Sequence, residues 1–166
     1  VLALLQAARL PLAEALPLLS AYRPGKGRGE KLTLPWAHGV LDVLDDVYNA
    51  SPASMAEAIA TLGRHKGRKI AVLGDMLELG ESAPAYHAAL ATPLCDNGVH
   101  AVFMAGPLMK ALAANLPPGL PCRHAATVQD LLPLVRQSLQ PGDTVLVKGS
   151  AGMKMNTVIQ MLKGEI

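Results

Sequence analysis

The sequence predicts an α/β protein: an open, mostly parallel β-sheet with helices on both faces, preceded by a short helical segment. Three observations support this fold class. Short strand-like runs alternate with helix-like runs about five times from residue 38 onward, which is typical of parallel sheets. The strand-like run KIAVLGDM is almost continuously apolar, as a strand buried on both faces of a parallel sheet is expected to be. Pro52 and Pro107 stand at the starts of helix-like runs, where the missing N–H of proline is not needed.

The predicted elements follow one another in order along the chain. Residues 1–22 are mostly apolar and predict a helical segment, and residues 23–35, which are glycine-rich and basic, predict a linker and the first strand. The later predictions are strand 39–46, helix 51–65, strand 69–76, helix 83–98 with a break at Pro93, strand 100–106, helix 107–116, strand 121–127, helix 128–142, strand 143–150 and helix 154–164. Ser51 is expected to cap the helix that Pro52 begins.

The composition indicates a folded domain and argues against nucleic-acid binding. Of the 166 residues, 51% are hydrophobic and 17% are charged, which is typical of a chain with a sizeable core. The net charge is only +2, from 15 Lys and Arg against 13 Asp and Glu, whereas a nucleic-acid footprint requires a stronger basic excess. Aromatic residues make up 3%, which leaves few platforms on which bases could stack. We therefore expect no nucleic-acid partner.

Neither the cysteines nor the amino-terminal segment indicates an oxidised or membrane-inserted protein. Cys95 and Cys122 match no metal-ligand spacing, and we expect two reduced thiols in the cytoplasm. Arg9, Glu14 and two prolines interrupt the apolar start, which therefore lacks the roughly 20 apolar residues of a membrane span. There is also no initiating Met and no cleavable leader, so we expect Val1 to lie inside a longer protein.

Polar residues cluster where the predicted parallel strands end, and ligands of such sheets bind at that edge. The clusters are Asp45, Asp46, Tyr48 and Asn49 after the first clear strand, Gly74 and Asp75 after the second, Gly106 after the third, and Lys148, Gly149 and Ser150 after the last. Strand alternation sends Asp45 and Asp46 to opposite faces, so at most one of them is expected to face a given ligand. Asp75 could equally cap a turn, because short carboxylate side chains often bond nearby backbone N–H groups.

The familiar phosphate-binding signatures are absent from the sequence. There is neither a G-x-x-x-x-G-K-[ST] run nor a G-x-G-x-x-G run after a predicted strand. The basic linker that carries Lys26, Arg28 and Lys31 is either a solvated connector or a turn from which a guanidinium binds a phosphate. The histidines form no metal constellation. His87 follows the GDMLELGE run, and a buried, hydrogen-bonded core histidine is favoured there over a residue that faces the site.

Four stretches of the chain together resemble the C-terminal domain of the Mur ligases. They are GKGR, LDDVYNASPASM, RKIAVLGDMLELGE followed by YHAAL, and VLVKGSAGMKM. The resemblance covers nearly the whole chain. It implies a Rossmann-like C-terminal domain over residues 36–166, a linker and first strand over 23–35, and the last helices of a truncated central ATPase domain over 1–22.

The resemblance also implies roles for particular residues. On the ATP side, it implies that the Arg28 guanidinium reaches the phosphates and that Asp46 contacts the nucleotide. It also implies that Tyr48 and Asn49 line the same pocket. On the amino-substrate side it implies Asp75, Lys148 and Ser150. It implies no catalytic residue and no metal ligand within this chain, because the P-loop and the Mg²⁺ ligands of the family lie in the central domain. Ser51 departs from the asparagine that the family more often has at this position.

Within the family, the sequence is most similar to ligases that join D-alanyl-D-alanine to UDP-N-acetylmuramoyl-tripeptide. That similarity implies a cytoplasmic, monomeric enzyme of peptidoglycan synthesis that uses ATP and Mg²⁺ to form an amide through an acyl phosphate. This chain would close over ATP and the amino substrate, would be inactive alone, and would not insert into a membrane. Two alternatives remain. One is a folylpolyglutamate-type ligase, against which YNASP together with GDMLELGE argues. The other is a stand-alone module that binds a nucleotide or a sugar phosphate.

Overall fold

A computed structural model of the chain describes residues 2–9, 13, 17 and 25–165. Within these residues a six-stranded sheet has the order β1-β2-β6-β3-β4-β5. The strands are β1 Glu30–Trp36, β2 Gly39–Asp46, β3 Lys69–Gly74, β4 Ala101–Ala105, β5 Cys122–Ala125 and β6 Thr144–Lys148. β1 pairs with β2 in antiparallel fashion, and every other pair in the sheet is parallel. The predicted fold class, a mostly parallel open sheet of the Rossmann-like type, is confirmed.

In the described part of the chain, five helices connect successive parallel strands, one helix precedes the first strand and one follows β6. They are α1 Leu2–Ala7, α2 Pro52–Gly63, α3 Ala83–Ala88, α4 Ala91–Asp96, α5 Met109–Ala113, α6 Val128–Ser138 and α7 Asn156–Lys163, with short 3₁₀ turns at Gly80–Ser82 and Ala151–Met153. Apart from residues 2–9, 13 and 17, the helical segment predicted over 1–22 lies outside the described residues. Within the described part of the chain, no helix is long and apolar enough to cross a membrane.

The hydrophobic core forms two layers, one on each face of the sheet. Side chains of α6 and α7 pack on one face against Val43 and Val145, and those of α2, α4 and α5 pack on the other against Leu44 and Leu146. Val43 and Leu44 are adjacent in β2, and Val145 and Leu146 are adjacent in β6. Because successive side chains of a strand point to opposite faces, each of these strands contributes side chains to both core layers. Every residue of β4 and β6 is buried, as expected for strands that helices cover on both faces.

The start of α2 agrees with its sequence prediction. Ser51 is the N-cap and Pro52 is the first helical residue. The Ser51 hydroxyl accepts a hydrogen bond from the Ser54 amide at 3.4 Å, and the Ser54 hydroxyl accepts one from the Ser51 amide at 2.9 Å. This reciprocal capping satisfies two backbone donors that a helix start otherwise leaves unpaired.

Two helix predictions near prolines are wrong in detail. The break predicted at Pro93 falls earlier, between α3 and α4, and Pro93 lies in the first turn of α4. Proline is tolerated there because the first amides of a helix have no intrahelical acceptor. The helix predicted to start at Pro107 begins at Met109 instead. β1 begins at Glu30, inside the segment predicted as linker and first strand.

Candidate functional site

The carboxyl ends of the neighbouring strands β2, β6 and β3 bring the predicted site residues to one edge of the sheet. In the parallel ladders, Lys148 of β6 is in register with Asp46 of β2 on one side and with Leu73 of β3 on the other. Asp46 and Lys148 are 102 positions apart in sequence. Their side chains lie on the same face of the sheet, because Leu44 and Leu146, two residues before each, belong to the same core layer.

An ion pair joins these two residues. The Nζ atom of Lys148 lies 2.6 Å from Oδ2 of Asp46 and donates a second hydrogen bond, of 2.9 Å, to the main-chain oxygen of Asn49. The Lys148 side chain is only 3% exposed, whereas the Asp46 side chain is 23% exposed. The lysine is therefore held inside the protein, and the carboxylate is the member of the pair that faces solvent.

The linker arginine lies above the residues that follow β2. The Arg28 guanidinium stacks over the Tyr48 ring at 3.6 Å from the ring centroid, which is close enough for a cation–π interaction. Two backbone hydrogen bonds fix this part of the linker to the end of β2: the Gly29 amide donates to the Asp45 oxygen, and the Tyr48 amide donates to the Gly27 oxygen, both at 2.9 Å.

The four residues predicted for the ATP side border one cleft. It measures about 270 Å³ and lies at the carboxyl edge of the sheet. Its lining residues are Arg28, Asp46, Tyr48, Asn49, Ala50, Ser51, Ser54 and Lys148. A guanidinium, a solvent-facing carboxylate and a helix start therefore face the same space. Guanidinium groups and helix starts attract phosphate oxygens, and a carboxylate accepts hydrogen bonds from hydroxyl or amino groups.

Asp45 lies on the other face of the sheet, in a different environment. It is 2% exposed, and among the described residues its Oδ1 atom has no hydrogen-bond partner. Burial raises the pKa of the Asp45 carboxyl above its ordinary value. The nearby Glu30 raises this pKa further, whereas the Val47 amide, Lys163 and Lys26 act in the opposite direction. A separate cavity of about 230 Å³ borders Asp45 beside Lys26 and Lys163.

Asp75 has a structural environment. It is 1% exposed, and its two carboxylate oxygens accept hydrogen bonds from the Leu108 and Met109 amides, at 3.2 and 2.9 Å. A Cβ added to Gly106, whose φ is +110°, would lie 2.4 Å from the Asp75 Cγ atom, so only glycine allows this approach. The capping role that the sequence left open is the one observed. A direct contact between this buried carboxylate and a substrate amine lacks structural support.

Ser150 borders a second and larger cleft. The cleft measures about 500 Å³ and lies between the turn after β2, the loop after β3 and the turn after β6. The Ser150 hydroxyl accepts a hydrogen bond from the Leu77 amide at 2.9 Å, and the Ser150 amide donates to the main-chain oxygen of Asp75 at 3.0 Å. Ser150 therefore fixes the loop after β3 to the end of β6. Tyr48 and Asn49 line this cleft as well as the smaller one.

Three residues that line the larger cleft were not singled out from the sequence: Leu77, Glu78 and Leu79. Leu77 is 38% exposed, and Glu78 has a φ of +63°, which is uncommon for a residue with a side chain. The available signal was the pair of leucines in the polar GDMLELG run, directly after a strand end. Leu77 remains at the surface, whereas Leu79 is partly buried and packs against the core layer of α2, α4 and α5.

His87 is a core residue, as the sequence favoured. It is fully buried. Its Nε2 atom accepts a hydrogen bond from the Met76 amide at 2.9 Å, and Nδ1 lies 2.6 Å from the Ala83 oxygen. Because an amide can only donate, Nδ1 carries the proton that binds the carbonyl. Within the part of the chain that the structure describes, His, Cys, Asp and Glu side chains form no group of three that could hold a metal ion.

Comparison with known proteins identifies the family. The family described as "Mur ligase, glutamate ligase domain" matches residues 27–151, which include every residue predicted for the ATP side and the amino-substrate side. The chain belongs to the Mur ligase family. The predicted resemblance to this family is confirmed. The predicted similarity to the ligases that add D-alanyl-D-alanine is confirmed as well. The chain is 32% identical over 142 residues to a UDP-N-acetylmuramoyl-tripeptide–D-alanyl-D-alanine ligase of Bacillus subtilis, a match that covers 82% of this chain and 31% of the relative.

Further Mur ligases agree with this assignment. The ligase of the same name from Escherichia coli is 31% identical over 123 residues, covering 73% of this chain and 26% of the relative. A MurF structure from Acinetobacter baumannii superposes with a TM-score of 0.82 at 26% identity, covering 98% of this chain and 35% of that one. MurF from Thermotoga maritima in complex with ADP gives 0.72 at 25% identity, covering 93% and 36%. The chain thus spans about a third of the length of such relatives.

Proposed function

We propose that this chain is the C-terminal domain of an ATP-dependent amide ligase that joins D-alanyl-D-alanine to UDP-N-acetylmuramoyl-tripeptide. The observation that carries the proposal is the convergence of Arg28, Asp46, Tyr48 and Asn49 on one cleft at the carboxyl edge of a Mur ligase domain. Support comes from relatives that bear this name and from a similar MurF structure that contains ADP. Peptidoglycan synthesis in the cytoplasm by a monomeric enzyme is part of the same proposal.

The smaller cleft is proposed as the wall that closes over ATP. Arg28 is exposed and stands on a glycine-rich turn, so its guanidinium can leave Tyr48 and form bidentate bonds with phosphate oxygens. Asp46 turns its carboxylate toward the same space and can accept a hydrogen bond from the nucleotide. Mg²⁺ would be held by residues outside this chain. The described residues form no metal-binding group of their own.

The larger cleft is proposed as the side on which the amino substrate arrives. Its leucines, Leu77 and Leu79, suit the methyl side chains of D-alanyl-D-alanine. Of the three residues predicted for this side, Ser150 borders the cleft, and the main-chain oxygen of Asp75 accepts a hydrogen bond from the Ser150 amide beneath it. Lys148 lies on the side of the smaller cleft. The two clefts share Tyr48 and Asn49, so nucleotide and amine would approach from neighbouring directions.

The reaction proposed for the full-length ligase has two steps. An oxygen of the tripeptide carboxylate attacks the γ-phosphorus of ATP, giving an acyl phosphate and ADP. The amine of D-alanyl-D-alanine then attacks the acyl carbon, loses a proton, and expels inorganic phosphate. Closure of this domain would exclude water, which otherwise hydrolyses the acyl phosphate. The P-loop and the Mg²⁺ ligands that the family uses for phosphoryl transfer would lie outside this chain, so the chain alone would not catalyse.

Phosphate release measured with substrates added one at a time tests the proposal. The full-length ligase should release phosphate rapidly only when ATP, UDP-N-acetylmuramoyl-tripeptide and D-alanyl-D-alanine are all present. Glutamate in place of the dipeptide should not substitute, which separates this ligase from a folylpolyglutamate-type enzyme. The 166-residue chain should release none under any combination. Turnover by this chain alone, or full activity with glutamate, would contradict the proposed function.

A further inference from the structure

Strand β6, in the middle of the sheet, ends in a lysine whose side chain is buried. The Lys148 side chain is 3% exposed, and its ammonium group has two partners at hydrogen-bond distance, Asp46 Oδ2 and the Asn49 oxygen. An unpaired ammonium at such a position would be costly, because removing a charge from water costs several kcal/mol unless partners compensate. Lys148 is thus committed to a fixed geometry.

Both partners of Lys148 lie in the short segment that leads from β2 to α2. Asp46 is the last residue of β2, Asn49 follows in the turn, and Ser51 then caps α2. The lysine therefore joins the end of β6 to the segment that forms one wall of the smaller cleft. Among the described residues, Asp46 accepts its hydrogen bond from Lys148 through Oδ2 alone, which leaves Oδ1 for a ligand.

We propose that Lys148 is a positioning residue for the nucleotide side of the site and does not contact the amino substrate. It orients the Asp46 carboxylate and holds the main chain at Asn49, so that the wall of the smaller cleft keeps one shape. This inference rests on the proposed function and revises the sequence-based assignment of Lys148 to the amino-substrate side. The location of Lys148 supports the revision, because it lines the cleft shared with Arg28 and Asp46.

The chemistry of lysine fits this role. An ammonium group is a compact charge with three donors, and two of them are used by a carboxylate and a carbonyl on the same segment. Methionine has nearly the same length and flexibility but no charge and no donor. Lys148→Met therefore removes the two bonds while leaving the space filled, and Asp46 then has no partner that fixes its rotamer.

A double-mutant cycle in the full-length ligase tests the inference. Lys148→Met and Asp46→Asn should each lower kcat/KM for ATP by about tenfold or more, and the double variant should lose about as much as the worse single variant, far less than the product of the two losses. The KM for D-alanyl-D-alanine should stay within about twofold of the parent in all three. Losses that multiply, or a raised dipeptide KM with an unchanged ATP KM, would overturn the inference.

Matched variants separate positioning from a general loss of structure. Lys66→Met removes an exposed lysine before β3, at the opposite edge of the sheet, and should leave both KM values unchanged. Lys148→Arg keeps the charge but displaces the donor atoms. If Lys148→Met fails to fold, Lys148→Arg decides the same question: a raised KM for ATP alone supports positioning, and a raised KM for the dipeptide alone contradicts it. An inactive parent would instead overturn the proposed function, and this inference with it.

Discussion

Asp45 and Asp46 are adjacent at the end of β2, yet they occupy opposite environments. Asp46 faces the layer of α2, is partly exposed, and has its charge balanced by Lys148 at 2.6 Å. Asp45 faces the layer of α7, is almost fully buried, and among the described residues has an Oδ1 atom without a hydrogen-bond partner. The pKa of Asp45 is raised by that burial. One carboxylate faces the smaller cleft, and the other borders the cavity beneath the linker.

The difference shows that adjacent residues of one strand can place their carboxylates in unlike environments, one open to solvent and one buried. The more deeply buried carboxylate borders the linker, and the more exposed one borders the proposed nucleotide cleft. A carboxylate with a fixed cationic partner and access to solvent can exchange water for a ligand. A buried carboxylate without a full set of partners instead lowers stability at any pH at which it is ionised.

The largest effect is expected for the cation on the Asp46 side. Arg28→Ala in the full-length ligase should lower kcat/KM for ATP by an amount corresponding to about 1.5–3 kcal/mol, the usual worth of a charge-assisted hydrogen bond. Folding should change little, because Arg28 is exposed and its truncation leaves no cavity. Steady-state kinetics and thermal unfolding measure the two quantities. Lys26→Ala is the matched control, since Lys26 is a linker cation that faces the Asp45 cavity. Equal losses from both variants would remove Arg28 from the site.

Asp46→Asn is the next largest test. It keeps the size of the side chain but removes the charge that faces Lys148 and the cleft. We expect kcat/KM for ATP to fall at least about tenfold, on the order of 1.4 kcal/mol, when measured at saturating peptide substrates. Asp45→Asn should cost clearly less in the same assay. A larger loss for Asp45 than for Asp46 would reverse the roles assigned to the two faces.

The linker above Asp45 can be tested through two glycines. Gly27 and Gly29 both have positive φ values, +71° and +79°, so alanine at either should cost roughly 1–2 kcal/mol of stability. A Cβ at position 27 would also lie 3.2 Å from the Val47 side chain, whereas one at position 29 meets nothing within 4 Å. Gly27→Ala should therefore be the more destabilising in urea unfolding. Equal costs would show that the linker does not press on the end of β2.

The smallest effect concerns pH and Asp45. Because burial raises the folded-state pKa of Asp45 above 3.8, the folded protein binds this proton more tightly than the unfolded chain does. The stability that protonated Asp45 contributes is fully present below the ordinary pKa of the carboxyl group. This contribution is lost as pH rises through the folded-state pKa of Asp45. Asp45→Asn removes that loss. The free energy of unfolding of the variant minus that of the parent should rise from about pH 4 and then level off. A pH-independent difference would contradict the assignment.

Features that depend on neighbours in sequence were predictable. The Ser51 cap and Pro52 lie within one turn of the helix they begin, and the opposite faces of Asp45 and Asp46 follow from strand alternation alone. The sheet edge at which the polar residues gather was also predictable, because the carboxyl ends of parallel strands lie along one edge. Such inferences use geometry that every strand or helix shares, so one sequence is sufficient for them.

Features that depend on strand order were not predictable. The resemblance implied that Lys148 lies on the amino-substrate side, and nothing in the sequence indicates that β6 inserts beside β2, where Lys148 contacts Asp46. Asp75 was ambiguous for the same reason: its partners, Leu108 and Met109, belong to the connection after a neighbouring strand. Partners more than thirty positions apart become known only when the order of the sheet is known.

The position of β6 has a consequence for synthesis of the protein on the ribosome. Of the six described strands, β6 is the last to be made, yet it lies between β2 and β3. Until it emerges, the β1–β2 hairpin and the β3-β4-β5 group have no ladder that joins them. Pairing over such sequence separations is slow and is not favoured until both partners exist. The nascent chain therefore cannot form the Asp46–Lys148 pair early, and the cleft at this edge takes shape only after β6 has been translated.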